Sequence, residues 1–181
     1  MDDKYIIKGK DLERHFEFQN RLIHFTQNLF PYNTGDDRAI VILGASFLDY
    51  TLEHILLGFF PTDEPEVETL LNFDQPLGTF GNRVRMIYCL GLIDKVIKDD
   101  LKLIGKIRNK FAHDLDASFE DDQIKTWCKQ LKWHKISMMM EAPEGATIRD
   151  LYQVGVNQVI TYLHGVISMA RADKRKTKND F

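Results

Sequence analysis

Cysteine is nearly absent. Cys89 and Cys128 are the only two in 181 residues, too few for a disulfide framework or a four-ligand zinc site from this chain alone. Prolines number five, and no apolar–polar alternation of useful length occurs, which argues against strands. The sequence has no internal repeat and no G-x-S-x-G, P-loop or dinucleotide-binding glycine pattern. Gly78 and Gly81 flank Thr79 and Phe80 but lack the strand a phosphate loop needs. The six histidines (His15, His24, His54, His113, His134, His164) form no H-x-x-x-H or E-x-x-H pair, so neither a metal site nor a cofactor is expected. Charge of one sign is also lacking. The 24 Lys+Arg and 27 Asp+Glu leave −3, which disfavours the cationic surface of a nucleic-acid binder.

That small total hides an uneven distribution. Residues 171–181 carry five bases (Arg171, Lys174, Arg175, Lys176, Lys178) and two acids, which leaves the preceding body at −6. The expectation is a single helical domain over 1–172 and a basic, disordered tail over 173–181. The acidic start Met1-Asp2-Asp3-Lys4 leads into no apolar core, so no signal peptide is expected and the protein is taken as cytoplasmic. One long apolar run, Ala39 to Phe60, has the length of a membrane span. Asp49, Glu53 and His54 lie in its middle, where ionisable groups are costly in lipid, so a buried core helix is expected and no membrane contact.

What is present is helical pattern. Residues 10–30 read as an amphipathic helix with Leu12, Phe16, Leu22, Ile23, Phe25 and Leu29 on its apolar side. A turn over 31–37 follows, and Asp36 or Asp37 caps the long apolar helix. Thr62 is expected to cap a short helix with Pro65 in its first turn, running to Asn72. A loop over 72–78 precedes a fourth helix from Thr79 to a C-terminal glycine, Gly91. Asp94 opens a fifth to His113, Ser118 a sixth to about Lys132, and after a loop at 141–145 Thr147 caps the last, to about Ala172. The fold class is therefore all-α, a bundle of about six to seven helices.

The last helix has an apolar face wider than an ordinary stripe. Ile148, Leu151, Tyr152, Val159, Tyr162, Val166 and Met169 form it, and Val156, Ile160, Leu163 and Ile167 extend it. Such a face suits burial on two sides, in a core and against a partner, so a homodimer is expected beside plain core packing.

The densest polar signal is Lys106-Ile107-Arg108-Asn109-Lys110-Phe111-Ala112-His113. At ~100° per residue Arg108 falls within the stripe of Ile97, Leu101, Ile104 and Phe111, and His113 points about 140° away. An inward arginine needs a carboxylate, and Asp49 and Glu53, spaced i,i+4, are the candidates, with Arg83 and Arg85 competing for them. Asp49, Glu53, Arg83 and Arg108 would then form a structural ion network. Alternatively Arg108 clamps a phosphate while His113 does acid–base work. Lys98, Lys102, Lys106 and Lys110 recur every fourth residue, and with Arg175 and Lys176 they are the candidate nucleic-acid contacts.

The runs GASFLDYTLEHILLGFF, DQPLGTFGNRVRMIYCLGLI and DLKLIGKIRNKFAHD, over about residues 38–125, resemble the mannitol operon repressor family of bacteria. Arg83, Gly91, Leu92, Arg108, Asn109 and His113 fall within these segments. The resemblance implies an all-helical negative regulator of transcription that lacks a conventional DNA-reading motif and acts through protein partners. A looser resemblance links Arg108-Asn109-x3-His113 to the Arg-polar-x3-His motif of HEPN domains. That resemblance implies a metal-independent ribonuclease or toxin, with Arg108, Asn109 and His113 catalytic and two copies sharing one cleft.

Overall fold

The computed structural model describes residues 7–29, 35–62, 64–139 and 143–178. Most of the 31–37 turn and part of the 141–145 loop lie outside them, as do the side chain of Leu29 and residues 179–181 of the tail. The described residues form an all-α bundle of eight helices with no strand. These are α1 (Lys10–His24), α2 (Asp37–Phe59), α3 (Pro65–Leu71), α4 (Phe80–Cys89), α5 (Lys95–His113), α6 (Asp122–Gln130), α7 (Trp133–Met138) and α8 (Ile148–Ala172).

Helix α2 is the axis of the bundle. The Asp36 carboxylate accepts from Ala39 N at 2.9 Å to cap its start, and extended Phe60, which precedes Pro61, ends it. Its side chains face α8 along one flank and α4 and α5 along the other. Val41, Leu48, Leu52, Ile55 and Leu56 are fully buried, so the span-like run is a core helix. Removing that surface from water is the main source of stability, at roughly 1.5–3 kcal/mol per buried Leu or Ile.

Helix α8 opens with a capping box, in which Thr147 and Asp150 satisfy each other's backbone N–H groups. Its wide apolar face is buried on two sides, but both lie within the chain: α2 covers one and α6 and α7 cover the other. Gly155 makes the second contact possible, since a Cβ there would lie 2.8 Å from Leu131 Cδ1. Tyr152, fully buried, donates to Val41 O across the first. The width of this face is therefore no argument for a dimer, and Met169 alone of the predicted stripe stands exposed.

Other expectations change in detail. The first helix is regular only to His24, and Phe25–Leu29 continues as a wider π turn in which Phe25 stacks on Phe47, ring centroids 4.3 Å apart. Thr62 caps nothing: its hydroxyl donates to Asp11, and Glu64 occupies the N-cap of α3, ahead of Pro65. Ser118 caps only a turn. Asp121 starts α6, and the predicted sixth helix breaks at extended Leu131 to give α6 and α7. Gly91, at φ 73°, closes α4 with Leu92 N donating to Ile87 O and Gly91 N to Tyr88 O, and Asp94 then caps α5. The start of the basic tail packs back on the bundle. Lys174 Nζ reaches Asp11 at 2.6 Å, and Arg175 N donates to Phe59 O at 2.8 Å.

Candidate functional site

Two polar constellations flank α4, and they divide the residues singled out in the sequence. The first is a hub at Arg83. The start of α4 is fixed by Thr79, whose hydroxyl accepts from Asn82 N, and this turns Arg83 inward until 7% of its side chain is exposed. Its Nη1 lies 2.9 Å from Asp49 Oδ1 and its Nη2 2.9 Å from Glu53 Oε2, both on the next helix, α2. Its Nε donates to Leu77 O and its Nη2 to Leu71 O. One planar fork thus joins α2, α4 and the 72–78 loop, a task suited to arginine and not to lysine. Gly78 lets the loop close, because a Cβ there would fall 2.1 Å from Asn72 O.

Arg83 alone takes both carboxylates, and Arg108 takes no part in the hub. On α5 the core positions are Ile97, Asp100, Leu101, Ile104, Ile107 and Phe111. Ile107 occupies the inward position predicted for its neighbour, and Arg108 is displaced to the half-buried flank. Arg85 is exposed.

The second constellation is a cleft of about 410 Å³ between the N-terminal turn of α4 and the middle of α5. Thr79, Phe80, Gly81 and Val84 form one wall, and Lys102, Gly105, Lys106, Arg108 and Asn109 the other. The lysine row therefore splits. Lys98 sits 3.6 Å from Asp99 and over the Tyr88 ring, and Lys110 pairs with Asp114 at 2.8 Å and Asp121 at 3.6 Å. Lys102 and Lys106 are exposed and line the cleft, Lys106 also lying 6.0 Å from the Trp127 ring. Arg108 and Asn109 meet there. His113 does not: it ends α5, exposed and outside the lining. One chain thus does not assemble the Arg–Asn–His set at a single point. Lys176 is exposed, and Arg175 rests over the Phe59 ring at 5.1 Å.

Sequence reasoning missed two buried groups. Asp100, 1% exposed, accepts from Lys132 N and Trp133 N and so holds the α6–α7 break. Burial pushes its carboxyl upward against those hydrogen bonds. Its place between Ile97 and Leu101, on the apolar side of α5, was the available signal. His54 is 5% exposed among Phe18 and Tyr50, and burial, aided by Arg171, Arg14 and Arg21, pushes it down to about 4. Among the described residues no group of three or more His, Cys, Asp or Glu is placed to hold a metal ion.

Fold and site together define an all-α domain built on one apolar axial helix, with an ion-locked face and an open cationic cleft. A family model described as the mannitol repressor matches residues 39–170, and the chain belongs to that family. The mannitol operon repressor of Escherichia coli strain K12 is 29% identical over an alignment of 119 residues that covers 62% of this chain and 58% of that protein. The same-named protein of Escherichia coli O6:H1 matches equally. The match thus spans little more than half the length of these curated relatives. A chain in the X-ray structure of the MtlR–HPr complex from Escherichia coli has the same fold. Its TM-score is 0.56 at 23% identity, covering 86% of this chain and 99% of that one. These matches support the first resemblance and not the ribonuclease one.

Proposed function

We propose that this protein is a cytoplasmic negative regulator of the mannitol-repressor type, and that it acts by binding a protein partner. One observation carries this: a relative of the same fold was solved in complex with HPr. The charge pairing on α5 supports it. Of the four lysines in the α5 row, Lys98 and Lys110 are spent on nearby acids, which leaves only Lys102 and Lys106 free to face a phosphate backbone. The acidic body points the same way. The test is calorimetric titration with HPr from the same organism, beside a titration with promoter DNA over a range of salt. Saturable binding of HPr is expected. Binding of DNA alone, with a steep salt slope, refutes the proposal.

A further inference from the structure

We propose that the α4–α5 cleft is a binding site for a small ligand bearing a phosphate group. The charge pattern around Arg108 carries this, and it stands apart from the question of a protein partner.

Among the described residues, every other lysine or arginine that is buried or half-buried has a partner. Arg14 meets Glu68, Arg38 the carbonyls of Asp114 and Leu115, Arg149 Asp37, and Arg171 the ring of His15. Lys98, Lys110, Lys125 and Lys174 each meet a carboxylate. Arg108 is half-buried and has neither carboxylate nor carbonyl within bonding distance, although a partly desolvated guanidinium costs free energy when left unpaired. Lys102 and Lys106 share its cleft. Three cations thus line one cleft with no acid among its lining residues.

The geometry suits a compact anion. Lys102, Gly105, Lys106 and Asn109 lie at i, i+3, i+4 and i+7, on one side of α5. Gly105 puts no side chain between them, and Phe80 approaches so closely that a Cβ would sit 3.2 Å from its ring. The Phe80 ring therefore packs over Gly105 and forms the apolar floor of the cleft. In this proposal a phosphate accepts two parallel N–H bonds from the Arg108 fork, and Lys102 and Lys106 add positive charge along the same cleft. At about 410 Å³ the cleft has the size of a small-molecule site.

Two sources share this chemistry, inorganic phosphate and a phosphomonoester, and the test separates them. The full chain is titrated calorimetrically with sodium phosphate and with glycerol 3-phosphate at matched ionic strength. It is compared with R108Q, with K106Q and with a control at the exposed Arg85, R85Q. Saturable binding of either probe is expected, weakened roughly tenfold or more by R108Q and left unchanged by R85Q. The probe that binds identifies the source. Because Arg108 has no hydrogen-bond or ion-pair partner among the described residues, R108Q should melt no lower than the wild type without ligand, which a structural arginine would not allow. Absence of saturable binding by both probes overturns the proposal, as does binding that R108Q and K106Q leave unchanged. Binding of a poly-glutamate peptide without any phosphate response also overturns it, in favour of an acidic protein segment.

Discussion

Acid should weaken this fold through His54 before it weakens it through surface pairs. The imidazole lies between the rings of Phe18 and Tyr50, centroids 5.3 and 4.4 Å away, and its Nδ1 is buried without a hydrogen-bond partner. Burial is the main reason its pKa drops from 6.5 to about 4, and the positive fields of Arg171, Arg14 and Arg21 add to it. The folded state thus holds His54 neutral, and the unfolded state takes up the proton first as pH falls. The stabilisation is complete above pH 6.5 and is lost as pH drops towards 4. Proton linkage with these two pKa values gives a loss of about 2 kcal/mol at pH 5 and about 3 kcal/mol once both states are protonated. Urea denaturation of wild type and His54→Phe at pH 7.5 and 5.0 measures it, because other titrating groups cancel in the comparison. The variant should lose about 2 kcal/mol less than the wild type between the two pH values. Equal losses in both proteins would refute the assignment.

Two further perturbations bear on the other side of α2. Arg83→Ala strands Asp49, Glu53 and the carbonyls of Leu71 and Leu77, and should cost about 3 kcal/mol in urea denaturation, with Arg83→Lys recovering less than half because an ammonium cannot span four acceptors. Gly78→Ala forces a Cβ onto the carbonyl oxygens of Asn72 and Phe73 and should lower the melting temperature sharply. Gly81→Ala meets open space within α4 and should stabilise by about 0.5–1 kcal/mol. If the two glycine variants melt alike, the loop is not clamped as described.

What was legible in the sequence was local. Asp36, Thr79, Asp94 and Thr147 announce their helices because a cap acts over three residues, and Gly91 marks its turn for the same reason. The failures are contacts distant in sequence. Asp100 meets the backbone of Lys132 and Trp133, so nothing near Leu131 signals the break between α6 and α7. Thr62 looks like a cap until Asp11, 51 residues away, takes its hydroxyl. Arg108, Arg83 and Arg85 were all candidates for Asp49 and Glu53, and Arg108 is excluded by which of two successive α5 residues turns inward. A rotation of ~100° decides that, and packing sets it. The cleft joins Thr79 and Phe80 to residues that follow more than 20 positions later, so only its α5 wall could be listed in advance.

The clasp between Lys174 and Asp11 has a consequence for the order in which the molecule forms. It spans 163 residues, and the neighbouring bond from Gln19 to His164 spans 145. Helix α1 is made before α2 and α8, and Phe18 stacks both on Tyr50 of α2 and on the His164 ring of α8, while Asp11 closes on Lys174 only after α8 is complete. The α2–α4–α5 core and the Phe18–Tyr50 stack can form on the nascent chain before α8 is made. Helix α1 is thus held in two stages, first by its stack on α2 and then by α8 and the Lys174 clasp. Until synthesis has passed residue 174, the first of those holds acts without the second.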